Sequence, residues 1–103
     1  MGAPSIVESE VAGEHLLRSL LDACARGHQS ALAALFDRTA PSALTIARCV
    51  AQHEEAAQRA THDAYVEIWH RAVAGRLPAG DAAMWILGVV HRHALATVTA
   101  GAA

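Results

Sequence analysis

The 103-residue chain has no lysine, so its eight fixed cations are all arginine, and ten acids leave a formal net charge of -2. Non-specific nucleic-acid binding rests on neutralising phosphates with Lys and Arg and usually leaves a basic patch. No strong patch is visible here, which argues against DNA binding as a freestanding activity. Aromatic residues make up only 4% of the chain. With β-branched residues also sparse, a sheet is poorly supported. Cysteine occurs twice, at Cys24 and Cys49. Two thiols without a secretory signal are no disulfide framework, so both are expected reduced and buried. Residues 1–10 are polar and acidic and lack the basic and apolar regions of a signal peptide. No apolar run approaches a membrane span. The expected location is therefore the cytoplasm, away from membranes. Nucleophile motifs, Gly-rich phosphate loops and G-x-S-x-G are all missing, so no enzyme and no cofactor are expected.

What is present is helix-forming. The chain is 53% hydrophobic, much of it Ala with Leu and Val behind, and Ala and Leu head the helix propensity scale. The length suits one domain with a modest core. The fold expected is all-α, a small bundle of four helices, or five if Pro41 breaks one. Residues 1–12 read as a flexible leader, 13–99 as the helical domain and 100–103 as a small-residue tail.

A first stripe runs through Leu16, Leu17, Leu20, Leu21 and Cys24, one face of a helix. Gly27 after Arg26 fits its stop. A second stripe starts near His28-Gln29-Ser30 and carries Leu32, Leu35, Phe36, Ala40, Ala43, Ala47 and Val50. Pro41 lies inside it, and a kink or break near Thr39 is expected, unless Pro41 opens a new helix from a first-turn position. Residues 51–55 form a polar junction. Glu54 and Glu55 suit the first turn of a third helix, whose buried side is Ala57, Ala60, Ala64, Tyr65, Ile68, Trp69 and Ala72. Gly75 stops it, and residues 77–80 are a Pro/Gly loop. Asp81 is the expected N-cap of a last helix carrying Trp85, Ile86, Leu87, Val90, Ala94 and Val98.

Histidine is plentiful. His62 and His70 are spaced to share a helix face, whereas His91 and His93 are not. Cys24 and Cys49 lack zinc-ligand spacing relative to these histidines, so surface histidines are the expectation, with no metal site. Trp69, Trp85 and Tyr65 can stack on unpaired bases, but each lies within an apolar stripe and core packing is the simpler role. The Tyr65 hydroxyl can reach solvent from such a stripe. Glu54, Glu55, Asp63 and Glu67 read as a solvated face rather than a catalytic carboxylate cluster, which needs a cleft and shifted pKa values.

Three segments together resemble a family. The stretch 17–39, LRSLLDACARGHQSALAALFDRT, resembles the start of region 2 of extracytoplasmic-function (ECF) sigma factors. That start has a Leu pair, a short helix ending in Gly, a polar pair, and a helix with an aromatic before an acidic-basic pair. The stretch 64–71, AYVEIWHR, is similar to the family's VFLxVWRR helix. The stretch 80–95, GDAAMWILGVVHRHAL, is similar to its GSALAWLLTIARNRAL segment. The matches come in the family's order and spacing and cover about residues 14–98.

The resemblance implies an all-helical domain in transcription initiation. One helix would dock on the clamp helices of the largest RNA polymerase subunit. A later helix and its preceding loop would capture non-template bases of the −10 promoter element. Carried onto this chain, the polymerase face would be Glu55, Arg59, His62, Asp63 and Glu67. The DNA face, over loop 75–81 and helix 82–98, would be Arg76, Trp85, Arg92 and His93. Two departures bear on these roles. With Tyr65 as the aromatic of the family's D-x-x-Q-x-x-F pattern, Arg59 stands where the acid belongs and His62 where the Gln belongs. The sign of one polymerase contact is thereby reversed. In place of the family's Arg-rich D-R-x-R ending stands Ala96-Thr97-Val98-Thr99, so promoter contact is expected to be weak. The family's second domain, which reads the −35 element, has no counterpart in these 103 residues. The resemblance therefore leaves two expectations: a truncated or degenerate relative, or a separate regulator using the fold to engage polymerase, an anti-sigma factor or another subunit. A second class of function also stays open, a protein-interaction module that pairs with itself or a helical partner through an apolar stripe.

Overall fold

A computed structural model describes residues 6–101, with side chains described from Gly13 to Ala100. Four α-helices follow one another: α1 (Ile6–Ala25), α2 (Gln29–Ala51), α3 (Glu54–Val73) and α4 (Ala82–Gly101). Helices α2, α3 and α4 pack mutually, and α1 lies mainly against α2. The expected all-α bundle is thus the fold, in its four-helix form.

Alanine dominates the inner faces. Ala43, Ala47, Ala57, Ala64, Ala72, Ala82 and Ala94 are fully buried around the larger Leu21, Leu35, Ile68, Ile86 and Val90. Small side chains let helix axes approach closely, and each large one fills a gap between them. Trp69 and Trp85 are half-buried and pack against this core. Phe36 and Val98, each on an apolar stripe, are 38% and 40% exposed. Phe36 instead sets its ring edge-on to Tyr65, centroids 5.0 Å apart, a favoured aromatic geometry.

The turns follow glycine stereochemistry. After α1, Gly27 has φ 87°, its N–H donates to the Cys24 carbonyl and the His28 N–H donates to Ala23. After α3, Gly75 has φ 72°, with the matching bonds Gly75 N–H to Ala72 and Arg76 N–H to Arg71. Both are Schellman endings. Between α2 and α3 the connection is only Gln52-His53, and Gln52 adopts φ 68° without being glycine. The expected polar junction 51–55 is accordingly shorter: Ala51 is buried in α2 and Glu54 already belongs to α3.

Three further expectations are corrected. The leader does not extend to residue 12, because α1 is helical from Ile6; no proline or glycine interrupts residues 6–12. Residues 1–5 of that leader lie outside the described part, as do 102–103 of the tail, while α4 runs on to Gly101. Pro41 neither ends nor starts a helix, and α2 continues through it. Its ring faces outward, and buried residues on both sides, Leu35, Thr39, Ala40, Ala43 and Ala47, hold α2 against the bundle. That burial offsets the lost hydrogen bond. Finally, Cys24 is buried but Cys49 is exposed, since Ala47 and Ala51 take the inward positions around it. Burial pushes the Cys24 thiol pKa up.

Candidate functional site

Helices α3 and α4 lie side by side and leave an open groove between them. One end, about 600 Å³, is lined by Asp63, Val66, Glu67, His70, Arg71, Ala74, Arg76 and His93. The other, about 490 Å³, is lined by Ala56, Arg59, Ala60, Asp63, His93, Ala96, Thr97 and Ala100. Asp63 and His93 line both ends and make the groove continuous.

Glu67 is the hub of this groove. Its carboxylate accepts from Arg71 Nε at 2.8 Å, one turn on, and meets His93 Nε2 of α4 at 2.8 Å. It also accepts a hydrogen bond from the Arg92 guanidinium. Its side chain is 21% exposed. The Arg92 bond, with His93 and Arg71 adding to it, holds the Glu67 carboxyl down to about 2 against the opposing effect of burial. Opposite charge and donated hydrogen bonds favour the ionised carboxylate.

The two expected faces therefore meet. Glu67 from the polymerase set is bonded to Arg92 and His93 from the DNA set, so these three act first as an internal polar junction between α3 and α4. Trp85 is half-buried against the core. Arg76 lies at one end of the groove and is exposed. Glu55, Arg59 and His62 fall in line at helical spacing on the exposed side of α3. Asp63 turns towards α4, with His62 Nδ1 3.3 Å from its carboxylate in a solvent-exposed contact. Among the described residues Arg59 and Arg76 form no ion pair.

The loop before α4 is not free. Arg18 of α1 donates to the carbonyls of Pro78 at 3.1 Å and Gly80 at 2.7 Å. Glu14 accepts from the first N–H groups of α4, at Ala82 and Ala83. Asp81 is the N-cap expected from sequence, its Oδ1 accepting from Met84 N–H at 2.8 Å. Glu14 and Arg18 were not distinguishable in the sequence, because their partners lie 60 or more positions away. Arg71 had a local signal, its i, i+4 spacing from Glu67.

The Tyr65 hydroxyl does not reach solvent. It donates to Thr39 Oγ1 of α2, which itself donates to the Leu35 carbonyl at 2.8 Å. Burial raises the Tyr65 pKa. Among the described residues no group of three or more His, Cys, Asp or Glu side chains is placed to hold a metal ion, and no helix is long and apolar enough to cross a membrane. Searches with the sequence and structure match no family model, no curated protein and no solved structure.

Proposed function

We propose that the chain is a sigma region-2-like domain that binds core RNA polymerase through α3 and contacts the −10 promoter element only weakly. The observation that carries this reading is the exposed line of Glu55, Arg59 and His62 on α3, beside Asp63. These polar groups do not build the core, and Arg59 forms no ion pair among the described residues. They stand where the family resemblance puts polymerase contacts. The four-helix succession also suits an all-helical region 2, with the three resembling segments falling on α1–α2, α3 and α4. Weak promoter contact accords with Arg92 and His93 being bonded to Glu67 and Trp85 being half-buried. Arg76 is then the candidate for phosphate that forms no ion pair among the described residues.

The test is binding of the purified chain to core polymerase, with and without −10 single-stranded DNA. Wild type binds, and the DNA strengthens binding slightly. Asp63→Arg weakens polymerase binding about tenfold or more, as expected for a reversed charge at an interface, whereas Arg59→Glu, which restores the acid of the family pattern, strengthens it, and both leave the helical circular dichroism unchanged. Variants that bind like wild type would show the face to be wrong. A chain that binds neither polymerase nor DNA would remove the proposal.

A further inference from the structure

The sequence has no basic run, yet folding gathers much of its fixed positive charge on one surface. Of the eight arginines, Arg59, Arg71 and Arg76 line the α3–α4 groove, and Arg92 of α4 reaches its Glu67. Of the ten acids, Asp63 and Glu67 alone line it. Arg59 and Arg71 sit at opposite ends of the groove, about 18 Å apart along the axis of α3 at 1.5 Å per residue. The cations are therefore spread along the groove, and a chain of anionic groups matches them better than one anion does.

Glu67 decides how much of this charge is free. Arg71 Nε and the Arg92 guanidinium share one of its oxygens, and His93 meets the other. The Glu67 side chain is 21% exposed, against 45% for Arg71 and 56% for Arg92. The carboxylate is held in place, while the two longer side chains can swing off it to a competing anion without backbone movement. Phosphate accepts from a guanidinium as a carboxylate does, so the two compete for the same donors.

We propose that the α3–α4 groove is a track for the phosphate backbone of single-stranded nucleic acid, and that Glu67 is its autoinhibitory contact, withholding Arg71 and Arg92. A single strand fits between packed helices, whose axes lie about 8–10 Å apart. A duplex does not, since its major groove alone admits a whole helix. No aromatic ring lines the groove among the described residues, so bases are not stacked and the track is indifferent to sequence. This site is distinct from base capture at a −10 element and does not rest on the polymerase reading, because it belongs to the chain alone.

The test is a titration of labelled oligothymidylate with the full chain, followed by fluorescence anisotropy between about 50 and 200 mM salt. Wild type binds weakly. Glu67→Gln binds about tenfold or more tighter, and its log–log salt slope steepens by about 1.4, two phosphates at about 0.7 each. Arg92→Gln added to Glu67→Gln takes back about half of that steepening, which a general loosening of the fold does not do. Arg59→Gln, an exposed change that leaves Glu67 and its partners intact, flattens the wild-type slope by about 0.7. Glu67→Gln that binds no tighter than wild type would overturn the autoinhibitory role. An unchanged slope in Arg59→Gln, or inorganic phosphate that displaces the strand at equal phosphate concentration, would overturn the track. So would equal affinity for polyglutamate, or a marked preference for a −10 sequence over oligothymidylate of the same length. Polymerase binding is measured separately, and its failure would sink the polymerase reading while leaving each of these outcomes intact.

Discussion

Glu67 shows how one side chain can set an acid limit on a fold. Its folded pKa is about 2 against an ordinary 4.5, so its contribution is fully present above the ordinary value and is lost as pH falls towards about 2. Between neutral pH and about pH 3 this loss should reach about 1–2 kcal/mol after allowance for solvent screening. Urea unfolding of wild type and Glu67→Gln at both pH values checks it, with the variant losing less on acidification. The Thr39–Tyr65 pair gives a second residue-scale outcome. Thr39→Val strands a buried phenol hydroxyl and should cost about 1–3 kcal/mol, whereas Tyr65→Phe leaves Thr39 bonded to Leu35 and should cost about 1 kcal/mol. The double variant should cost less than the sum, measured as a double-mutant cycle. Neither network was legible in the sequence. Glu67 was visible as an acid on α3, but its partners Arg92 and His93 come from α4, 25 and 26 positions on, and no periodicity reports such a pairing.

Within single helices much more could be read. Ala57, Ala60, Ala64, Ile68 and Ala72 were placed inside by their spacing and are buried. Gly27, Gly75 and Asp81 were read as stop, stop and cap, and their backbone bonds match those roles. Local chemistry decides these features, so local sequence reports them. Pro41 leaves a kink, a break or a new helix start open in the sequence, and what α2 buries on either side decides that the helix runs on through it. Phe36 was misjudged because a stripe several residues wide does not fix which edge meets solvent. The turn at Gln52 leads to a prediction at this scale. A non-glycine residue at φ 68° carries backbone strain, so Gln52→Gly should stabilise by roughly 0.5–1 kcal/mol, net of glycine's entropy cost. Gly75→Ala should destabilise by about 1 kcal/mol for the converse reason. Thermal unfolding of the two variants should move in opposite directions. The nearby Arg48–Glu54 pair, bidentate at 2.9 Å but about half exposed at both ends, contributes little by comparison.

For the molecule as a whole, the groove lies between α3 and α4, while α1 ties the bundle shut. Arg18 and Glu14 fasten the loop after α3 and the first turn of α4. Glu14→Ala should destabilise by about 1–2 kcal/mol, as loss of a helix cap does. Amide hydrogen exchange should accelerate first at Ala82 and Ala83. This fastening also sets an order of events during synthesis. Glu14 leaves the ribosome long before Ala82, 68 residues later. The early helices must therefore wait, with the hydrophobic face meant for α4 still uncovered, until the last quarter of the chain arrives. The bundle can lock only when its beginning meets its end, so a chain interrupted after α3 would be left open to degradation rather than partly folded and stable.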